Sequence, residues 1–181
     1  IAKLPGVTIG HLSPVWFTKE VLKIMVEKVK FVEDFVGVPL VLENATSFFE
    51  IPETDFKEEE FISELCYQSG AGMLLDLTNV LINSYNKKFD PYEFIGGLPL
   101  DHLVHMHLAG GKIHDGLYYD THSEEIRGLN AEVWPLLEWT AQRAKIRTLI
   151  IERDANFKED FEDMIQVEHP ELFKKLKDQA N

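Results

Sequence analysis

The chain has 181 residues, enough for one domain with a substantial core, and an ordinary composition for a globular protein. Its 31 acidic and 18 basic residues give a formal charge of −13, which argues against the basic surface that nucleic-acid binding needs. Its one cysteine, Cys66, excludes an internal disulfide. No apolar stretch reaches the ~20 residues of a membrane span, and no signal peptide is visible, so no membrane partner and a cytoplasmic location are expected.

The chain opens at Ile1 without an initiator Met. Leu4–Leu12 has the look of mid-domain sequence, so an N-terminal part is expected to lie outside it. Phe17–Phe35 carries apolar residues at helical spacing (Val21, Leu22, Met25, Val29, Val32), with Lys and Glu on the other face. That is an amphipathic helix, with Thr18 as its N-cap and Gly37 as its stop. Val38–Leu42 follows as a continuous apolar run, which suits a strand buried on both faces. Glu58–Gln68 is the next helix, with Cys66 in it as a small buried hydrophobe. Met73–Leu77 is a second strand, Asn79–Tyr85 a short loop or a helix, and Asp90–Ile95 a small helix with Pro91 in its first turn. Leu103–Leu108 is a third strand. Gly110, Gly111 and Gly116 mark a mobile loop before a further strand at Leu117–Asp120. Asn130–Ala144 is a helix, Thr148–Ile151 the last strand, and Lys158–His169 and Pro170–Gln179 are C-terminal helices.

Alternating strands and helices with short connections predict α/β architecture with a parallel sheet. A (β/α)8 TIM barrel is the form expected. A complete barrel takes ~250 residues, so this single domain, residues 1–181, is expected to be an incomplete one, roughly the C-terminal two-thirds, lacking its first strands.

The chemistry sits at the strand ends. Val38–Asn44, Met73–Asn79, Leu103–Gly110, Leu117–His122 and Thr148–Asp154 each run from apolar residues into Glu, Asp, His or Asn. Parallel barrels build their active sites at the C-terminal ends of their strands. Glu43, Asp76, His105, His107, Asp120, His122 and Glu152 could therefore converge on one site fit for iron, manganese or zinc. His105 and His107, two apart on a strand, face one side, with Met106 and Leu108 opposite. A carboxylate straight after buried apolar residues is costly unless it is paired or metal-bound, which singles out Glu43 and Glu152. Asn44 could orient Glu43. Asn79 could be a ligand, an orienting amide or a helix cap. Asp154 could pair near Glu152, and His114, in the glycine loop, could reach a substrate. His11 and His169 are weaker candidates. No zinc-protease, nucleophile-elbow, P-loop or Cys-x-x-Cys motif is present.

LENATSF (Leu42–Phe48), GMLLDLTNV (Gly72–Val80), Asn86, HMHLAGG (His105–Gly111), YDTH (Tyr119–His122), Val133-Trp134 and LIIERD (Leu149–Asp154) occur in order. This set resembles the DUF692 (UPF0276) family, which includes MbnB and TglH. The resemblance implies a TIM barrel holding two or three iron ions. It implies an enzyme that uses dioxygen to modify cysteine in a ribosomally made precursor peptide, often with a partner protein that presents the peptide. Carried over by motif, Glu43 is a bridging ligand and Asp76 and His107 are ligands. Asp120 and His122 serve a neighbouring ion, Glu152 closes the cluster, and His105 is a further candidate. The family takes two more histidine ligands from preceding strands. Its usual HLAGH ends here in Gly111, and its usual EWD is Glu152-Arg153-Asp154. Two other readings use the same residues: a manganese or zinc hydrolase or sugar-isomerase-like barrel, and a non-catalytic peptide-binding scaffold.

Overall fold

The computed structural model describes residues 14–156, together with the backbone of two short strands, β1 (Lys3–Leu4) and β2 (Val7–Thr8), which pair antiparallel. The predicted helices at Lys158–His169 and Pro170–Gln179, and His11 and His169, lie outside the described residues.

The first helix, α1 (Lys19–Val36), starts where Thr18 Oγ1 accepts the Val21 N–H at 3.3 Å. It ends at Gly37, whose φ of 73° is left-handed and costs a glycine nothing. Its buried stripe, Leu22, Val26 and Val29, packs on Phe61 and Leu65 of α2 (Glu58–Ser69). Between these helices lies β3 (Val41–Glu43), and α2 leads into β4 (Gly72–Asp76). The chain passes directly from β4 into α3 (Leu77–Lys87), then α4 (Pro91–Gly96) and β5 (Leu103–Leu108). A hairpin, β6 (Lys112–His114) and β7 (Leu117–Tyr119), precedes α5 (Val133–Ala141) and β8 (Thr148–Ile151).

The main sheet is parallel, in the order β3-β4-β5-β8, and among the described residues β3 and β8 are its edges. Met73, Leu75, Met106 and Leu108 point to one face and form the core with Val80, Ile82, Ile95, Leu136 and Leu137. The register puts Leu74 beside His105 and Asp76 beside His107 on the other face. Cys66 is fully buried, as predicted, and burial pushes its thiol up to about 11.

Three expectations need correction. Val38–Leu42 is not a strand buried on both faces: β3 begins at Val41, lies at an edge and leaves Val41 exposed. Asn79–Tyr85, read as a short loop or a helix, is helix: it lies in the middle of α3, whose first eight residues are all buried. The Asn130–Ala144 helix is a 3₁₀ turn at Gly128–Glu132 followed by α5. Finally, Leu117–Asp120 does not join the parallel sheet. It pairs antiparallel with Lys112–His114, and the glycine-marked loop before it is an ordered hairpin. Asp115 and Gly116, at φ 49° and 78°, supply the two positive-φ residues that a tight two-residue hairpin turn requires.

Candidate metal centre

Side chains alternate along strands, and paired residues of neighbouring parallel strands share a face. Glu43 pairs with Leu74, Asp76 with His107, and His107 with Ile150, two residues before Glu152. Glu43, Asp76, His105, His107 and Glu152 therefore share one face, and all but His105 sit at C-terminal strand ends. Asp120 and His122 reach the same place from the exit of the hairpin.

Asp76 is at the centre. Its side chain has no exposed surface, and burial pushes its carboxyl up to about 7, against the Asn79 N–H and His122, which favour the anion. Asp76 Oδ1 caps α3 by accepting the Asn79 N–H at 2.8 Å. Asp76 Oδ2 is buried and accepts no hydrogen bond. A fully buried carboxylate oxygen without a partner is costly, and a cation would remove the cost.

Around it, one donor atom from each of Glu43, Asp76 and His107 lies within 4.8 Å of the others, and the same holds for Asp76, His122 and Glu152. Asp76 belongs to both groups, so the two triads could hold two ions that share one carboxylate. His107 Nδ1 is 3.0 Å from Glu152 Oε2, and His122 Nδ1 is 3.4 Å from the same oxygen. His122 Nε2 lies 2.6 Å from Asp120 Oδ1 and 3.8 Å from Asp76 Oδ2; the Asp120 approach is close, but its angle is not that of a hydrogen bond. Burial disfavours the His122 cation, yet Asp120, Asp76 and Glu152 together raise its pKa to about 9. Burial also raises Glu43, with His107 opposing and Glu152 adding. Four carboxylates crowded around two imidazoles are an arrangement that a cation stabilises.

The other candidates separate clearly. His105 stacks on His107 at 5.0 Å between ring centroids and stays outside both triads. Its Nε2 is buried without a hydrogen bond, and burial, then the His107 charge, lower its pKa. Asn44 orients Asp76 rather than Glu43: its Oδ1 accepts the Asp76 N–H at 2.8 Å and its Nδ2 donates to the Asp76 carbonyl at 3.0 Å. Asn79 Nδ2 in turn donates to the Asn44 carbonyl at 2.9 Å. The Asp154 side chain is exposed, but its N–H donates to the His122 carbonyl at 2.7 Å. That bond helps hold His122 at φ 44°, a left-handed conformation uncommon for a residue with a side chain. His114 is exposed at the hairpin tip, beside Asp115, away from both triads.

Thr46 is a partner that motif reading overlooked. Its hydroxyl donates to Asp120 Oδ2 at 3.2 Å, tying the loop after β3 to the hairpin exit. Next to Glu43 a cavity of about 190 Å³ opens, walled by Leu42, Thr46 and Phe61.

The model of the family described as the RiPP precursor modification enzyme MbnB/TglH/ChrH matches residues 2–169. The chain belongs to this family. It is 33% identical over 149 residues to a UPF0276 protein of Caulobacter vibrioides, covering 82% of this chain and 52% of that protein. It is 35% identical over 151 residues to a UPF0276 protein of Nitrosospira multiformis, covering 81% and 52%. For a UPF0276 protein of Shewanella oneidensis the figures are 34% over 151 residues, 81% and 53%. The chain spans about half the length of these relatives. The MbnB/TglH/ChrH match takes in every candidate donor, from Glu43 to Glu152. No helix of the described residues is long and apolar enough to cross a membrane.

Proposed function

We propose that this chain holds the metal centre of a cytoplasmic enzyme that oxidatively modifies cysteine in a ribosomally made precursor peptide, using iron and dioxygen. The observation that carries the reading is the fully buried Asp76 Oδ2, which accepts no hydrogen bond and belongs to a carboxylate shared by two donor triads. Family membership supports a peptide precursor as substrate. The donor set supports iron, since carboxylates and imidazoles without thiolate suit ferrous or ferric ions. Manganese and zinc accept the same residue types, and a hydrolytic or isomerising barrel remains the alternative tested below. The open four-stranded sheet, with its donors at C-terminal strand ends, supports an arc of a single (β/α)8 barrel domain.

In this reading Glu43, Asp76 and His107 hold one ion, and Asp76, His122 and Glu152 the other. Asp120 is hydrogen-bonded by Thr46 and paired to His122, so it orients that imidazole or binds beside it. His105, Asn44 and Asn79 back the cluster from within the sheet and α3. Iron, when bound, supplies the redox chemistry and activates dioxygen. The chain's own residues hold the charge and exclude water from Asp76. A second protein that presents the peptide belongs to the same proposal.

Anaerobic purification of the whole protein, followed by metal analysis and oxygen-consumption measurements with a Cys-bearing precursor peptide, tests it. The account predicts about two iron ions per chain or more, and peptide-dependent oxygen uptake. Tight zinc without oxygen uptake would select the hydrolytic alternative, and peptide binding with no metal the scaffold.

A further inference from the structure

Four polar side chains of α3, Thr78, Asn79, Asn83 and Asn86, bond to main-chain groups of segments beside the donor cluster. Thr78 Oγ1 accepts the Ala109 N–H at 2.7 Å and donates to the Ala109 carbonyl at 3.0 Å, fixing the exit of β5. Asn79 donates to the Asn44 carbonyl. Asn83 Oδ1 accepts the Ser47 N–H and its Nδ2 donates to the Ala45 carbonyl, both at 2.9 Å. Asn86 Oδ1 accepts the Tyr118 N–H at 2.9 Å and its Nδ2 donates to the Tyr118 carbonyl at 2.8 Å. Residues 79, 83 and 86 are spaced i, i+4, i+7 and lie on one stripe of the helix. One helix thus grips the loop after β3, the exit of β5 and strand β7 through their backbones.

Asn83 and Asn86 touch no candidate donor atom. They hold different segments, however. Asn83 holds Ala45 and Ser47, the neighbours of Thr46 just after Glu43. Asn86 holds Tyr118, two residues before Asp120 and four before His122. Each clamp is reciprocal, donor and acceptor together, which fixes both the distance and the rotation of the gripped peptide unit.

We propose that Asn83 and Asn86 are positioning residues that act chiefly on opposite halves of the cluster, Asn83 on the Glu43 side and Asn86 on the Asp120–His122 side, with the Thr46–Asp120 hydrogen bond as the contact between the halves. The proposal rests on the two-ion reading above. It implies that losing one amide loosens one triad while Asp76, anchored separately by Asn44, keeps the other.

Anaerobic titration of the whole protein with Co(II), followed by its visible absorption, tests this, with a thermal melt of each variant beside it. Asn86→Ala is expected to weaken one of two equivalents by about ten-fold or more and spare the other. Asn83→Ala is expected to weaken the opposite one. His122→Ala and His107→Ala assign which is which: adding His122→Ala to Asn86→Ala should remove little further, and adding His107→Ala should remove both. Asn86→Asp and Asn83→Asp, which keep the accepting oxygen but lose the donor, carry the same expectation if an alanine variant does not fold. Equal weakening of both equivalents, or a lowered melting temperature with both affinities unchanged, overturns the proposal. A wild-type protein that takes up no Co(II) overturns the metal reading itself, and this inference with it.

Discussion

Asn44 and Asp76 exchange two hydrogen bonds across the sheet, the Asp76 N–H to Asn44 Oδ1 at 2.8 Å and Asn44 Nδ2 to the Asp76 carbonyl at 3.0 Å. An asparagine side chain here does what a neighbouring strand would do. It holds the strand end where the central carboxylate projects and α3 begins. Asn44→Ala leaves a buried N–H and carbonyl unpaired and should cost about 2–4 kcal/mol. Urea denaturation of the metal-free protein checks this; an unchanged midpoint would contradict it.

Asp76→Asn separates the structural from the charge role of this residue. Asparagine keeps an oxygen for the Asn79 N–H and removes the buried charge. At pH 8, with chelator, the variant should be more stable than the parent by roughly 1–3 kcal/mol, while metal uptake is lost. Lower stability would show that the carboxylate serves the fold rather than a cation.

The pH dependence of the metal-free protein follows from two raised pKa values. Asp76 rises from 3.8 to about 7, so the folded state holds a proton that the unfolded state sheds, and stability falls as pH rises across that window. His122 rises from 6.5 to about 9; its contribution is full below 6.5 and is lost as pH climbs through about 9. Both have the same sign. Chelated protein should therefore lose stability steadily from about pH 4 to pH 9, whereas metal affinity should gain over the same range as Asp76 and His122 give up protons. Melting temperatures at pH 5, 7 and 9, with and without metal, measure both trends. A rising or flat chelated curve would count against the assigned charges.

Gly111 has no room for a side chain. A Cβ there would lie 2.6 Å from the Tyr119 carbonyl oxygen and 2.7 Å from the Tyr118 ring. Its N–H and carbonyl are both bonded by Asn130, at 2.9 and 3.0 Å. Gly111→Ala should cost about 1–3 kcal/mol by overpacking, read as a lower urea midpoint with unchanged slope. His114→Ala, at the exposed hairpin tip, is expected to leave stability and metal uptake as they are.

The donors on the sheet were legible because strand periodicity is simple. Once 103–108 is a strand, His105 and His107 must share a face, and a carboxylate that follows a buried run must sit at a strand end. Although the motif resemblance pointed to His107, strand periodicity alone did not say which histidine reaches Asp76. That depends on the β4–β5 register, which shifts between Met73 and Leu74 and sets Asp76 beside His107. Asp120 and His122 were placed at the site on the premise of another sheet strand, but they arrive through a hairpin. Asp115-Gly116 was the signal, since both residues take the positive φ such a turn needs. The role of α3 was hidden because Asn79 and Asn83 are buried, whereas a polar stripe ordinarily marks the solvent-facing side of a helix. The 79, 83, 86 spacing of its asparagines was the mark of its gripping face.

The shared use of Asp76 by two ions is the central claim, and metal stoichiometry under anaerobic reconstitution tests it most directly. His107→Ala and His122→Ala should each lose one ion per chain, and Asp76→Asn should lose both. An Asp76→Asn protein that still binds as many ions as the parent would contradict the account.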